Sequence, residues 1–129
     1  MESSLLAITP IDGRYHNKTI ELGQYFSESA LIRFRILVEI KYLYFLGKIL
    51  QFPERIITVL TKLNDLYIDF SMDDAKRVKE IEKTTNHDVK AVEYYIKEKY
   101  LELCNNNNIN NTISNKYLEY IHFGLTSQD

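Results

Sequence analysis

A chain of 129 residues, 45% of them apolar, is the size of one ordinary domain and can bury a real core. Lys and Arg (16) are outnumbered by Asp and Glu (18), for a formal net charge of −2, so nothing favours nucleic acid, which asks for a strongly basic face. The single cysteine, Cys104, excludes an internal disulfide and a cysteine-built zinc cluster, and fits a reducing, cytoplasmic setting.

The opening, MESSLLAITP, has neither a basic start nor a long apolar run, so no signal peptide is expected. Through Lys18 the chain reads as an irregular loop, punctuated by Pro10 and Gly13. From about Ser27 to Leu50 apolar residues recur at helical spacing on two sides: Leu31, Phe34, Val38 and Phe45 on one, Ile32, Ile36, Ile40 and Leu43 on the other. Such a helix packs on several sides, and some of its surface awaits a partner. Arg33, Arg35, Glu39 and Lys41 interrupt it, and each would cost roughly 2.5–3.5 kcal/mol at a bilayer centre, so no membrane span is expected.

Pro53 and Glu54 suit the first turn of a further helix, with Ile56, Leu60, Leu63 and Tyr67 as its apolar stripe. Ser71 and Asp74 match a capping box ahead of a surface helix in which only Ala75, Val78 and Ile81 are apolar. Asp88 is placed to cap another helix, whose inner face is Val89, Val92, Ile96, Tyr100 and Leu103. The polar run from Asn105 to Asn111 reads as a flexible loop, tolerated as a surface insertion. A short helix from Lys116 to Phe123 leads into GLTSQD, where the chain stops without a cap or stop signal, as a truncated chain would. The expectation is an all-α protein.

Three clusters join flexible backbone to groups that grip anions. In Asp12-Gly13-Arg14-Tyr15, the glycine permits an unusual turn and the arginine offers a planar fork for carboxylate or phosphate. Alone, Arg14 is more often an exposed loop residue. Thr84-Thr85-Asn86-His87-Asp88 precedes a helix, whose amino terminus offers N–H groups and partial positive charge, with Asn86 and His87 as further donors. Alone, Asp88 is more often a cap and His87 a surface side chain. In Gly124-Leu125-Thr126-Ser127-Gln128-Asp129, backbone and hydroxyl donors suit a carboxylate, though the words alone describe an ordinary polar turn. The histidines His16, His87 and His122 lack ligand spacing, so no metal site is expected, and no nucleotide-cradling glycine motif suggests a cofactor. His122, beside Ile121 and Phe123, reads as a helix-packing histidine.

The order and wording of these segments are more specific than any one of them. ITPIDGRY, FSE with RFRILVEIKYL, IEKTTNHDVKAVEYYIKE and EYIHFGLTSQD resemble the amino-terminal domain of adenylosuccinate lyases of the bacterial type, from about Leu5 to Asp129. The wording lapses around Gln51 to Phe70 and at the asparagine run. Argininosuccinate lyases and fumarases share the architecture but word the TTNHD region differently.

The resemblance implies a helical subunit of the fumarase/aspartase superfamily that assembles as a homotetramer. It implies elimination of fumarate from adenylosuccinate, giving AMP, and from the succinyl-carboxamide ribotide of purine synthesis, with no cofactor. It places Arg14 and Tyr15 at the nucleotide, toward its phosphate, and makes Asn86, His87 and Asp88 a second substrate-contacting segment. It gives Thr126 and Ser127 to the succinyl carboxylates. The family's proton-donating histidine and its serine on a loop like SSxMPxK lie downstream, so no catalytic residue is expected here and His87 is assigned to binding. The other expectation is a non-enzymatic helical interaction module derived from such a domain, supported by the nearly all-round apolar helix.

Overall fold

The computed structural model describes residues 2–129, all of whose regular elements are helical. They fall into two compact units, Met1–Leu31 and Ile32–Asp129.

The first unit keeps the expected irregular stretch around Pro10 and Gly13, residues 6–15, but flanks it with short helical turns. These are α1 (Glu2–Leu5), α2 (His16–Thr19), a 3-10 turn (Ile20–Leu22), α3 (Gly23–Phe26) and the first residues of α4 (Glu28–Ile49). Ser27 starts α4, its hydroxyl accepting the Ala30 N–H at 3.1 Å and its carbonyl the Leu31 N–H at 2.9 Å.

The second unit comprises the rest of α4, then α5 (Glu54–Leu63), α6 (Asp65–Ile68), α7 (Met72–Thr85), α8 (Asp88–Asn106) and α9 (Asn111–Leu118). α8 is its centre and packs against α5, α7 and α9. Val92, Tyr95 and Ile96 are fully buried and Tyr100 almost so, each contributing roughly 1.5–3 kcal/mol as apolar surface leaves water. They meet Ile36, Ile40 and Leu43 of α4, Ile56, Val59, Leu60 and Leu63 of α5 and Val78 of α7 in one core. Of the two apolar sides of α4, the isoleucine side faces this core, whereas Val38 and Phe45 stay 43% and 60% exposed. The expected α5 stripe ends at Leu63, and Tyr67 lies in α6, its ring 6.4 Å from that of Phe34.

Several polar groups of the core are tied in, Glu39 Oε2 being an exception among the described residues. Ser71 and Asp74 form the expected capping box at α7, and the same Asp74 accepts the Tyr95 hydroxyl at 2.9 Å. The Tyr100 hydroxyl donates to the Ser114 carbonyl at 2.9 Å. Cys104 is buried, and burial raises its thiol pKa, which leaves it unreactive.

The asparagine run is an ordered helix-to-helix connection, not a flexible loop. Asn105 and Asn106 end α8, and Asn107 donates to the Leu103 carbonyl at 2.7 Å and accepts from Lys62 at 2.8 Å. Asn108 takes the left-handed conformation (φ 57°), Ile109 is buried, and Asn110 caps α9 by accepting the Ile113 N–H. Asparagine tolerates the left-handed region and caps helices, so a polar run of this kind orders a junction once one apolar residue anchors it. For this reason α9 begins five residues before the expected Lys116, and the chain turns irregularly from Glu119 onward.

Candidate functional site

The first cluster is built around a side-chain box. The Thr9 N–H and hydroxyl both donate to Asp12 Oδ1, at 2.9 and 3.0 Å, which holds the Asp12 carboxyl below its ordinary pKa. Gly13 follows with negative φ, so it is not needed for an unusual turn. It is needed for close approach: a Cβ there would lie 2.5 Å from the Ser4 carbonyl oxygen and 3.0 Å from Ala7 Cβ. Arg14 and Tyr15 are exposed, with the guanidinium carbon 5.1 Å from the centre of the Tyr15 ring, a cation–π contact between neighbours.

At the second cluster, α7 ends on Asn86, which takes the left-handed conformation (φ 53°) while its N–H donates to the Glu82 carbonyl. The cap of α8 is His87, not Asp88. His87 is extended (φ −149°, ψ 123°), and its Nδ1 accepts the Lys90 N–H at 3.2 Å. Asp88 is the first helical residue and accepts the Val89 N–H at 2.9 Å. The side chains of His87 and Asp88 thus satisfy two N–H groups of the first turn, those of Lys90 and Val89. With Nδ1 accepting the Lys90 N–H, Nε2 is the His87 ring nitrogen not used by the cap. The Asp88 carboxylate is held by Arg35 of α4 at 2.8 Å, which lowers its pKa.

The third cluster follows a turn with two left-handed residues, His122 (φ 68°) and Gly124 (φ 76°). His122 is not packed in a helix as expected. Its Nδ1 pairs with the buried carboxylate of Glu39 on α4, and the Leu125 N–H closes the turn onto its carbonyl at 3.2 Å. A Cβ on Gly124 would meet the Tyr42 hydroxyl at 3.1 Å. Beyond it, the Thr126 N–H and hydroxyl both donate to Asp129 Oδ2, at 2.7 and 3.1 Å. Ser127 is exposed beside them. This is the geometry of Thr9 with Asp12, and of Ser71 with Asp74 at 2.9 and 2.9 Å.

The second and third clusters share one support. Arg35, Glu39 and Tyr42 lie on successive turns of α4, and they hold Asp88, hold His122 and adjoin Gly124, respectively. Arg14 and Tyr15 belong to the other unit. Arg35 and Glu39 are absent from the sequence-derived candidates. Their signal is two charges one turn apart within an apolar helix, where a buried charge needs a partner.

No family profile matches the chain. Individual proteins do. It is 48% identical over 132 residues to the adenylosuccinate lyase of Dictyostelium discoideum, 44% over 132 to that of Legionella pneumophila strain Corby and 42% over 130 to that of Escherichia coli K12. Each match covers 98% of this chain and 27% of the relative's own length. The chain thus spans about a quarter of these relatives, and over nearly all of its own length it is a homologue of the adenylosuccinate lyases.

Proposed function

We propose that this chain is the amino-terminal helical domain, residues 1–129, of an adenylosuccinate lyase, and that it supplies substrate-binding residues rather than the groups that move protons. The reaction is release of fumarate from adenylosuccinate, giving AMP, and from the succinyl-carboxamide ribotide. In such an elimination a base removes the proton beside a carboxylate, charge flows onto that carboxylate, and positioned N–H and O–H donors stabilise it.

The observation that carries this reading is the grip of Thr126 on a carboxylate. Its N–H and hydroxyl converge on Asp129 Oδ2, so this donor pair is able to hold a carboxylate oxygen. Ser127 adds a hydroxyl beside it. Arg14, stacked on Tyr15, suits the phosphate end. Asn86 and Nε2 of His87 supply polar contacts at the start of α8, which Asp88 ties to α4 through Arg35. The active enzyme is a cytoplasmic homotetramer, without cofactor, whose general acid and base lie in parts of the enzyme that this chain does not contain.

Two assays test this. The purified chain releases no fumarate from adenylosuccinate, and joining it to the remaining portion of a relative restores turnover; turnover by the chain alone would sink the reading. Adding fumarate or AMP shifts the amide resonances of Thr126 and Ser127, or of Arg14 and Tyr15, respectively.

The exposed Val38, Phe45 and Ile49 side of α4 favours a second reading, a helical interaction module of lyase descent. Absence of any ligand-induced shift, together with loss of self-association on replacing Phe45 by serine, would favour it.

A further inference from the structure

Glu39 is a strange residue for its place. It is 6% exposed, inside a helix whose neighbours Ile36, Ile40 and Leu43 form the core. One carboxylate oxygen meets His122 Nδ1; the other, Oε2, is buried without a hydrogen-bond partner. A leucine there would pack at no such cost, because a half-paired buried carboxylate loses more on leaving water than its one bond returns. Its surroundings sharpen the point. Glu93 of α8 is also buried and adds a second negative charge, which Lys90 (3.2 Å) and Lys97 (3.9 Å) neutralise. Packing does not account for Glu39. What it does to His122 can.

His122 opens the turn that carries Thr126 and Ser127, and it does so in a left-handed conformation that non-glycine residues adopt at a cost. Such a conformation persists only when the surroundings fix it. Glu39 fixes it from the side chain, while the Leu125 N–H bond to the His122 carbonyl closes the turn from the backbone. A carboxylate accepts and does not donate, so the hydrogen of this contact sits on Nδ1 of His122. One turn earlier on the same helix, about 6 Å along its axis, Arg35 holds Asp88. Two side chains of opposite sign on α4 thus anchor the two candidate segments.

We propose that Glu39 is a positioning residue of the candidate site: through Nδ1 of His122 it sets the turn bearing Thr126 and Ser127 and fixes the tautomer of the His122 ring. The inference rests on the proposal that Thr126 and Ser127 bind the substrate carboxylates, and it adds the group that holds them in place.

The test is nitrogen NMR of the isotope-labelled 129-residue chain. In the wild type the His122 ring shows a protonated Nδ1 and an unprotonated Nε2. In Glu39→Met, of similar volume, that signature gives way to a mixture of tautomers. The amide resonances from Phe123 to Ser127 move, while those of α7 keep their positions. An unchanged ring signature and unchanged turn amides in a folded Glu39→Met chain would overturn the proposal. Should Glu39→Met not fold, Glu39→Gln serves, since its amide keeps the shape and its carbonyl oxygen can still accept from Nδ1 of His122. The proposal then requires that the turn amides stay near their wild-type positions while His122 titrates differently, and an identical titration overturns it. Titration with fumarate separates the two levels. If Thr126 and Ser127 do not respond in the wild type, the binding assignment falls and the role of Glu39 in the site falls with it, even with the ring signature intact. If they respond equally in wild type and Glu39→Met, only the positioning role falls.

Discussion

The Nδ1 of His87 accepts the Lys90 N–H at 3.2 Å, so a histidine caps the helix at the heart of the second unit. Asp88 is thereby free to reach sideways to Arg35. Replacing His87 by alanine should lower stability by about 1 kcal/mol, the usual worth of an amino-terminal cap, whereas His87→Asn should retain most of it. Urea unfolding of the three chains checks this. Equal stability of all three would mean that Asp88, not His87, is the working cap.

The Arg35–Asp88 pair is partly solvent-exposed, 25% and 53%, so its coupling should be modest. A double-mutant cycle with Arg35→Ala and Asp88→Ala should return about 0.2–1 kcal/mol. The sign of its pH dependence follows from the lowered Asp88 pKa. The stabilisation is present above the ordinary aspartate value, about 3.9, and is lost as pH falls through the lower folded value. Glu39 has the opposite sign, because burial raises its pKa. Whatever stability its protonated form contributes is full below about 4.3 and lost as pH rises through the folded value. Melting temperatures of wild type, Asp88→Asn and Glu39→Gln across that range should show slopes changed in opposite directions.

Much of this architecture is legible from spacing and capping chemistry. The periodicity of Val89, Val92, Ile96, Tyr100 and Leu103 names the inner face of α8; the first four are buried and Leu103 is half-buried against the same core. Ser71 with Asp74 marks the start of α7. The sequence is ambiguous where two solutions have the same local pattern. Both apolar sides of α4 have helical spacing, and α5 and α8 decide between them by packing on the isoleucines. His87 and Asp88 are both able to cap, and the distant Arg35 tips the balance by taking the aspartate. The asparagine run depends on burial of a single residue, Ile109, which no polar-run rule anticipates. Glu39 and His122 are 83 residues apart, and their pairing has no local signal.

Removing core volume should divide the two sides of α4 and its partner cleanly. Ile96→Ala, at a position with no exposed surface, should cost 2–5 kcal/mol, roughly the range for deleting a buried aliphatic side chain. Val38→Ala, on the exposed side, should change stability by less than about 0.5 kcal/mol. Denaturant midpoints provide the comparison. A large loss for Val38→Ala would show that its side of α4 is covered in solution.

Gly13 is constrained by its neighbours rather than by its own backbone angle. Gly13→Ala would put a Cβ against the Ser4 carbonyl oxygen, a backbone atom that cannot swing aside. The turn from Thr9 to Tyr15 must then open. The expected outcome is displaced amide resonances within Met1–Leu31 and weaker AMP binding, with the amides of α8 unchanged. Unchanged resonances at Thr9 and Asp12 would count against the close approach.

The grip of Thr126 on Asp129 has a consequence for the binding role proposed for Thr126. Asp129 is tethered three residues away, so Thr126 experiences its carboxylate at an effective concentration on the order of millimolar or above. A free monocarboxylate at lower concentration competes poorly with it. A ligand that is also held elsewhere, through a phosphate or a second carboxylate, brings its own tether and competes on equal terms. On the binding role proposed for Thr126, the internal aspartate would act as a threshold, favouring multiply anchored anions over single ones such as acetate.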